Sequence, residues 1–88
     1  MSQQEELYEL AKQVKAAHQD MLLQKANVVG VGIGYAQRSS LATDELCLVV
    51  MVSRKLPDEA LSPEDRIPRE LEGVPVDVQQ VGDLRAID

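Results

Sequence analysis

Apolar residues recur at Leu7, Leu10, Val14, Ala17 and Met21, and Ala11 and Leu22 widen the stripe. This three-four spacing places them along one side of a helix. Ser2 followed by Glu5 forms a capping box, in which the serine side chain takes an early amide and the glutamate reaches back. Asn27 suits the other end, where a left-handed residue often stops a helix. Residues 3 to about 25 therefore read as one amphipathic helix. The same spacing fits a coiled-coil seam, but it covers fewer than three heptads. A helix docked on its own sheet is the expected use.

After Asn27 the period changes from three-four to two. In Val28 to Ala36, "VVGVGIGYA", alternate side chains of a strand point to opposite faces. Val29, Val31, Ile33 and Tyr35 make one face, and Val28, Gly30, Gly32, Gly34 and Ala36 make the other. Residues 37–44 are polar enough for a connecting loop, and Glu45 to Ser53 form a second strand, antiparallel to the first. Leu46, Leu48, Val50 and Val52 alternate there with Cys47, Val49 and Met51, so both faces are apolar. Such strands are usually covered on both faces.

Residues 54–73 carry three prolines and many charges, which exclude a long helix or a central strand. Ser62 and Pro63 suit the start of a short helical turn. Pro68 limits it by pushing Ile67 out of the helical region. Gly73 lets the chain turn into "VPVDVQQV", a third strand with Val74, Val76 and Val78 toward the core and Pro75, Asp77 and Gln79 outward. Pro75 suits an edge position. The expected fold is α+β: a long N-terminal helix packed on a small three-stranded mixed sheet, made of a hairpin plus a third strand after a proline-rich connection. The helix is expected against Val29, Val31, Ile33 and Tyr35. Residues 1–88 form a single small domain, with no internal repeat and no low-complexity segment.

Composition narrows the partners. The net charge of −6 is spread along the chain, with no basic patch and no aromatics interleaved with Lys or Arg, so nucleic acid is not an expected partner. An anionic membrane surface is not expected either, because the helix carries at least as many acids as bases. With no Phe or Trp and two Tyr, the core is built from aliphatic side chains. One cysteine, Cys47, rules out an intramolecular disulfide and fits a reducing compartment. "MSQQEELYEL" lacks the cationic start and apolar run of a signal peptide, so a cytoplasmic location is expected.

The glycines resemble a phosphate loop only at first glance. Their spacing is G-x-G-x-G rather than G-x-G-x-x-G, no helix follows at once, and no Lys-Ser or Lys-Thr pair follows. The remaining reading is a strand stripped on one face so that something can come close. Each glycine costs about 0.5–1 kcal/mol against alanine, so a close-packing surface is the expected reason for the pattern. Gly30, Gly32, Gly34, Cys47, Val49 and Met51 are its candidate residues. Either the connection 54–73 or a partner chain covers it. His18, the only histidine, sits beside the helical stripe as a boundary residue, and one His with one Cys gives no metal cluster. Cys47 lies mid-strand, where a free cysteine behaves as a small buried hydrophobe. "DEALSPED" lacks the spacing of a calcium loop.

Several spaced segments together resemble a known family. "NVVGVGIGY" (27–35), "VSRKLP" (52–57), "IP" (67–68) and "GVPVDVQQVG" (73–82) are similar, in the same order, to the N-terminal lead-in region of certain bacterial proteins whose following part is like trypsin-like serine peptidases. The resemblance implies a lead-in domain without its peptidase barrel, or a free-standing relative. It carries no catalytic residue onto this chain, and His18 matches none.

Two functions of different class follow. The first is a non-catalytic interaction or assembly module, packing on a peptidase-like domain, a partner or a second copy of itself as a homo-oligomer, with no cofactor and no metal. The second is a small ligand-binding protein or enzyme in which Cys47 or His18 pairs with one of the scattered carboxylates.

Overall fold

A computed structural model describes residues 3–38 and 41–81. The expected capping box at Ser2, the tip of the hairpin and the tail beyond Val81 lie outside the described residues. Helix α1 spans Gln3–Leu23, followed by strands β1 (Val28–Arg38), β2 (Leu41–Val52), β3 (Glu70–Leu71) and β4 (Val74–Gln80). The α+β class is as expected: one long helix packs on a mixed sheet. That sheet has four strands, in the order β1-β2-β4-β3.

The hairpin strands run further than the polar composition of 37–44 suggests, since the ladder continues to Arg38 opposite Leu41. β1 and β2 are antiparallel, with register shifts between Val28 and Gly30 and between Tyr35 and Gln37. β4 is parallel to β2, pairing Leu48 with Val76 through Val52 with Gln80. The unexpected strand β3 is two residues long and pairs with Val74 and Pro75. It is joined to β4 by Glu72 and Gly73, at φ 50 and 85. Positive φ at both central residues is the signature of the tight turn that suits strand twist. Gly73 signals half of that turn in the sequence; glutamate does not signal the other half.

The helix stops at Leu23, before the expected end at about 25, and Asn27, at φ 69, turns the chain into β1, where its carbonyl accepts the Ser53 amide at 2.9 Å. Helix and sheet meet in a core of Ala11, Val14, Leu48 and Val74, continued by Leu22, Val50 and Val52. The helix has rolled relative to the expected stripe. Ala11, Val14 and Leu22 are buried, whereas Leu7, Leu10 and Met21 are exposed. The apolar stripe is wider than the strip of sheet beneath it. Alanine at position 11 lets the backbone approach, and the larger side chains are left on the flank. Val31 and Ile33 pack under the helix as expected, but Val29 and Tyr35 are exposed, a correction to the predicted contact face.

The connection 53–73 supplies the crossover that parallel strands require. Short 3₁₀ turns form at Asp58–Ala60 and at Pro63–Asp65. The second begins after Ser62, whose side chain makes no capping hydrogen bond. It is tied to the end of the helix: Lys25 Nζ donates to the Glu64 carbonyl at 2.6 Å, and the Ala26 amide donates to Asp65 Oδ1 at 3.0 Å. The connection's Ile67 and β3's Leu71 pack on the cluster under the helix. These apolar residues therefore serve the helix side of the sheet. No helix among the described residues is long and apolar enough to cross a membrane.

Candidate functional site

The antiparallel register sets Gly30 beside Met51, Gly32 beside Val49 and Gly34 beside Cys47. The glycine space is filled sideways, from β2. A Cβ added to Gly30 would stand 3.0 Å from Met51 Cε, and one on Gly34 would stand 3.2 Å from Val49 Cγ2. At Gly32 the nearest atom, Met51 Cε, would be 3.7 Å away, an ordinary contact. The close packing inferred from the sequence therefore exists at two of the three glycines. Its source is the neighbouring strand rather than the proline-rich connection. Cys47, with no exposed surface, packs with Ala36 and Val49 in a small cluster of its own.

Over this cluster lies a polar bridge. Asp77 pairs with Val49 and Gln79 with Met51 on β4, which places both side chains on the glycine face. Asp77 Oδ2 accepts the Gln37 amide at 2.9 Å and Gln79 Nε2 at 2.9 Å, and Gln79 Nε2 also donates to the Tyr35 carbonyl at 3.4 Å. Strands that flank a third normally stand about 9.5 Å apart, too far for an aspartate to span. The contact requires β1 to coil over the face toward β4, and the irregularity between Tyr35 and Gln37 supplies the bend. Alternation correctly turns Asp77 and Gln79 away from the helix. The bridge itself depends on coiling, which no local pattern encodes.

The two residues considered for chemistry are not brought together. Cys47 sits on the glycine face, while His18 projects from the helix on the other side and meets Glu72 Oε2 through Nε2 at 2.8 Å. Both members of that pair touch solvent, as expected for a boundary histidine. Among the described residues no polar or charged residue is buried, and no group of three His, Cys, Asp or Glu is placed to hold a metal. In the segment 58–65, Asp65 Oδ1 accepts the Ala26 amide in the turn after the helix, and the Asp58 backbone carbonyl accepts Arg66 Nε at 2.9 Å. A cavity of about 400 Å³ opens beside Cys47, lined among others by Arg54, Lys55, Asp58, Arg69 and Asp77. Its charges are of both signs and exposed or half-exposed.

What stays open is the outer edge of β1. Among the described residues the strand pairs with β2 on one side only. Above the edge, Tyr35 is 48% exposed, Val29 40% and Tyr8 46%. An open groove of about 740 Å³ runs between the first turns of the helix and the strands, lined by the apolar Tyr8, Leu10, Tyr35 and Leu46 and by Gln4, Gln13 and the acids Glu5, Glu6 and Glu9. The sequence signal for this region was present in another form: Val28 to Ala36 holds no charge and no proline.

The family whose description is the NARROW LEAF 1 N-terminal domain matches residues 2–82. No curated protein matches the chain. The family match corrects the expected kinship: this is a different family from the lead-in region of bacterial trypsin-like peptidases. The peptidase association and the bacterial source drawn from that resemblance fall with it. The segments that carried the likeness are β1, the end of β2, the Ile67-Pro68 bend and β4. They are the strands and turns a fold of this shape needs, and they hold no chemistry that would tie it to a peptidase.

Proposed function

We propose that the chain, which belongs to the NARROW LEAF 1 N-terminal domain family, is a non-catalytic interaction and assembly module. The observation that carries this reading is the unguarded edge of β1 with the apolar residues around it, Tyr8, Leu10, Val29 and Tyr35, all exposed. Apolar patches of this kind mark surfaces that meet another protein. Cys47 has no exposed surface and the His18–Glu72 pair lies open to solvent, which favours this reading over a small enzyme that sets either residue beside a carboxylate. A cytoplasmic setting belongs to the same proposal: Cys47 is buried and forms no disulfide, which suits a reducing compartment.

The test is a photo-crosslinking amino acid at Tyr35, at the rim of the open edge. Illumination in cells is expected to trap a discrete adduct of defined mass, with a protein partner or with a second copy. The same probe at Glu59, on the exposed connection, serves as control. If Tyr35 gives no adduct, or the same diffuse pattern as Glu59, the module reading is wrong.

A further inference from the structure

The two outer edges of the sheet are treated differently. At the far side, β3 covers the start of β4, Pro75 removes a donor, and the exposed Arg69 and Glu70 bring charge to the margin. These are ordinary devices that stop a sheet from adding another strand. β1 carries no charge and no proline between Val28 and Ala36, and its two irregularities stand at the ends of that stretch. From Gly30 to Tyr35 its ladder with β2 is unbroken, and the irregularities lie outside that stretch. Among the described residues, alternate backbone amides and carbonyls along the outer side of β1 have no strand partner, and what satisfies such a row best is another extended chain.

Which chain fits is written in the pattern. Val28 to Ala36 is symmetric about Gly32: Val31 mirrors Ile33, Gly30 mirrors Gly34, and Val29 mirrors Tyr35. We propose that β1 is the pairing edge of a two-fold dimer, in which two copies join β1 to β1 antiparallel with the dyad at Gly32. This rests on the module reading above and names its partner. In that register Val31 lies opposite Ile33 of the second copy on the helix side, and glycine lies opposite glycine on the other face. The exposed Tyr35 comes to lie near the exposed Val29, which stands in the irregularity that ends the regular stretch. No charge meets a like charge in the paired stretch. The two four-stranded sheets become one continuous sheet, and the unguarded edges disappear. Because each copy carries a net charge of −6, the copies repel at long range, and added salt tightens the dimer.

The test uses the full chain and light scattering over a range of concentration and salt. The wild-type protein is expected to reach twice the 9.7 kDa chain mass and to associate more tightly at higher salt. Gly32 is the position to probe, since a Cβ there would meet nothing closer than Met51 Cε at 3.7 Å. Gly32→Lys and Gly32→Glu each put like charges directly across the dyad and are expected to weaken the dimer about fivefold. Mixing the two variants sets Lys opposite Glu and restores association as a heterodimer. Gly32→Ala leaves the dimer intact, and circular dichroism checks that every variant folds. Hydrogen exchange is expected to slow at Gly30–Tyr35 amides as concentration rises.

A wild-type chain that stays at 9.7 kDa at all concentrations overturns the proposal. So does a dimer indifferent to charge at Gly32, or one not restored by mixing. A monomer in solution whose Tyr35 probe traps a different protein removes the second copy as partner and leaves the module reading standing. Association that weakens with salt points to a dimer held by charge at another surface, and also overturns it.

Discussion

The two faces of the sheet solve the same packing problem in opposite ways. On the helix face, Leu48, Val50 and Val52 stand upright and are buried by a separate element, with Ala11, Val14 and Leu22 pressed onto them. On the glycine face no second layer is needed for β1. The strand gives up its side chains, and Met51 and Val49 lean from β2 into the space. A face buried by another element loses stability through the cavity left when a side chain shrinks. A face that fills itself loses it through crowding when a side chain grows. The same kind of substitution therefore has opposite consequences on the two sides of one strand.

The largest effect expected is on the helix face. Leu48 has no exposed surface and joins the cluster that holds helix to sheet. Leu48→Ala removes that contact and leaves a cavity, which typically costs about 2–5 kcal/mol. In a chain of 88 residues this approaches the whole margin of stability. Urea titration followed by circular dichroism measures it. A loss under about 1 kcal/mol would mean that the helix side closes over the gap, and that the two faces differ less than argued.

On the other face the sign of the volume change reverses. Gly34→Val drives a Cβ to 3.2 Å from Val49 Cγ2, and the branched Val49 has little freedom to withdraw. Overpacking of this kind costs about 1–3 kcal/mol. Gly30→Ala is expected to cost less, although its Cβ would come closer, at 3.0 Å, because the atom it meets is the end of the flexible Met51. If the two variants melt in the reverse order, Met51 is held more firmly than an open thioether should be.

Next comes the polar bridge that spans the glycine face. Asp77→Ala strips the acceptor from the Gln37 amide and from Gln79 Nε2. The expected loss is about 1 kcal/mol, the net worth of an ordinary hydrogen bond in water's reach. A second readout is local: hydrogen exchange at Gln37 should quicken, while amides of the β2–β4 ladder change little. Uniform quickening along the sheet would assign Asp77 to global stability instead of to the coil of β1.

Much of this contrast was legible beforehand. Strict alternation from Val29 to Ala36 separated the glycine face from the apolar one, and alternation in "VPVDVQQV" turned the valines toward the core and Asp77 and Gln79 away from it. Asn27 and Gly73 marked the two places where φ turns positive. Three things were not legible. The roll of the helix depends on how wide a strip the sheet presents, and periodicity reports only where apolar residues lie. Strand β3 is too short to show a period, and one of its turn residues, Glu72, is an unusual choice for φ 50. The filler of the glycine space comes from Met51, about twenty residues away in sequence, and becomes visible only once the strand register is known. Of the candidate interface residues, Cys47 and Val49 lie inside the fold, while the exposed Tyr35 and Val29 had been assigned to the covered face.

The smallest effect is also the one that runs the other way. Gly32 lies between the two crowded glycines, yet a Cβ there makes only ordinary contact, at 3.7 Å from Met51 Cε, and its φ lies outside the range that requires glycine. Gly32→Ala adds no clash and removes the excess freedom that glycine holds in the unfolded chain. The gain is about 0.5–1 kcal/mol. Alanine reaches no further than the Cβ, so the Gly32 effect isolates the backbone term from the packing term. A raised thermal midpoint in Gly32→Ala beside a lowered one in Gly34→Ala would establish that the glycine pattern is demanded at its ends and tolerated at its centre. Equal destabilisation at both positions would instead place an unseen neighbour over Gly32, and the self-filled face would have to be read as one that something else covers.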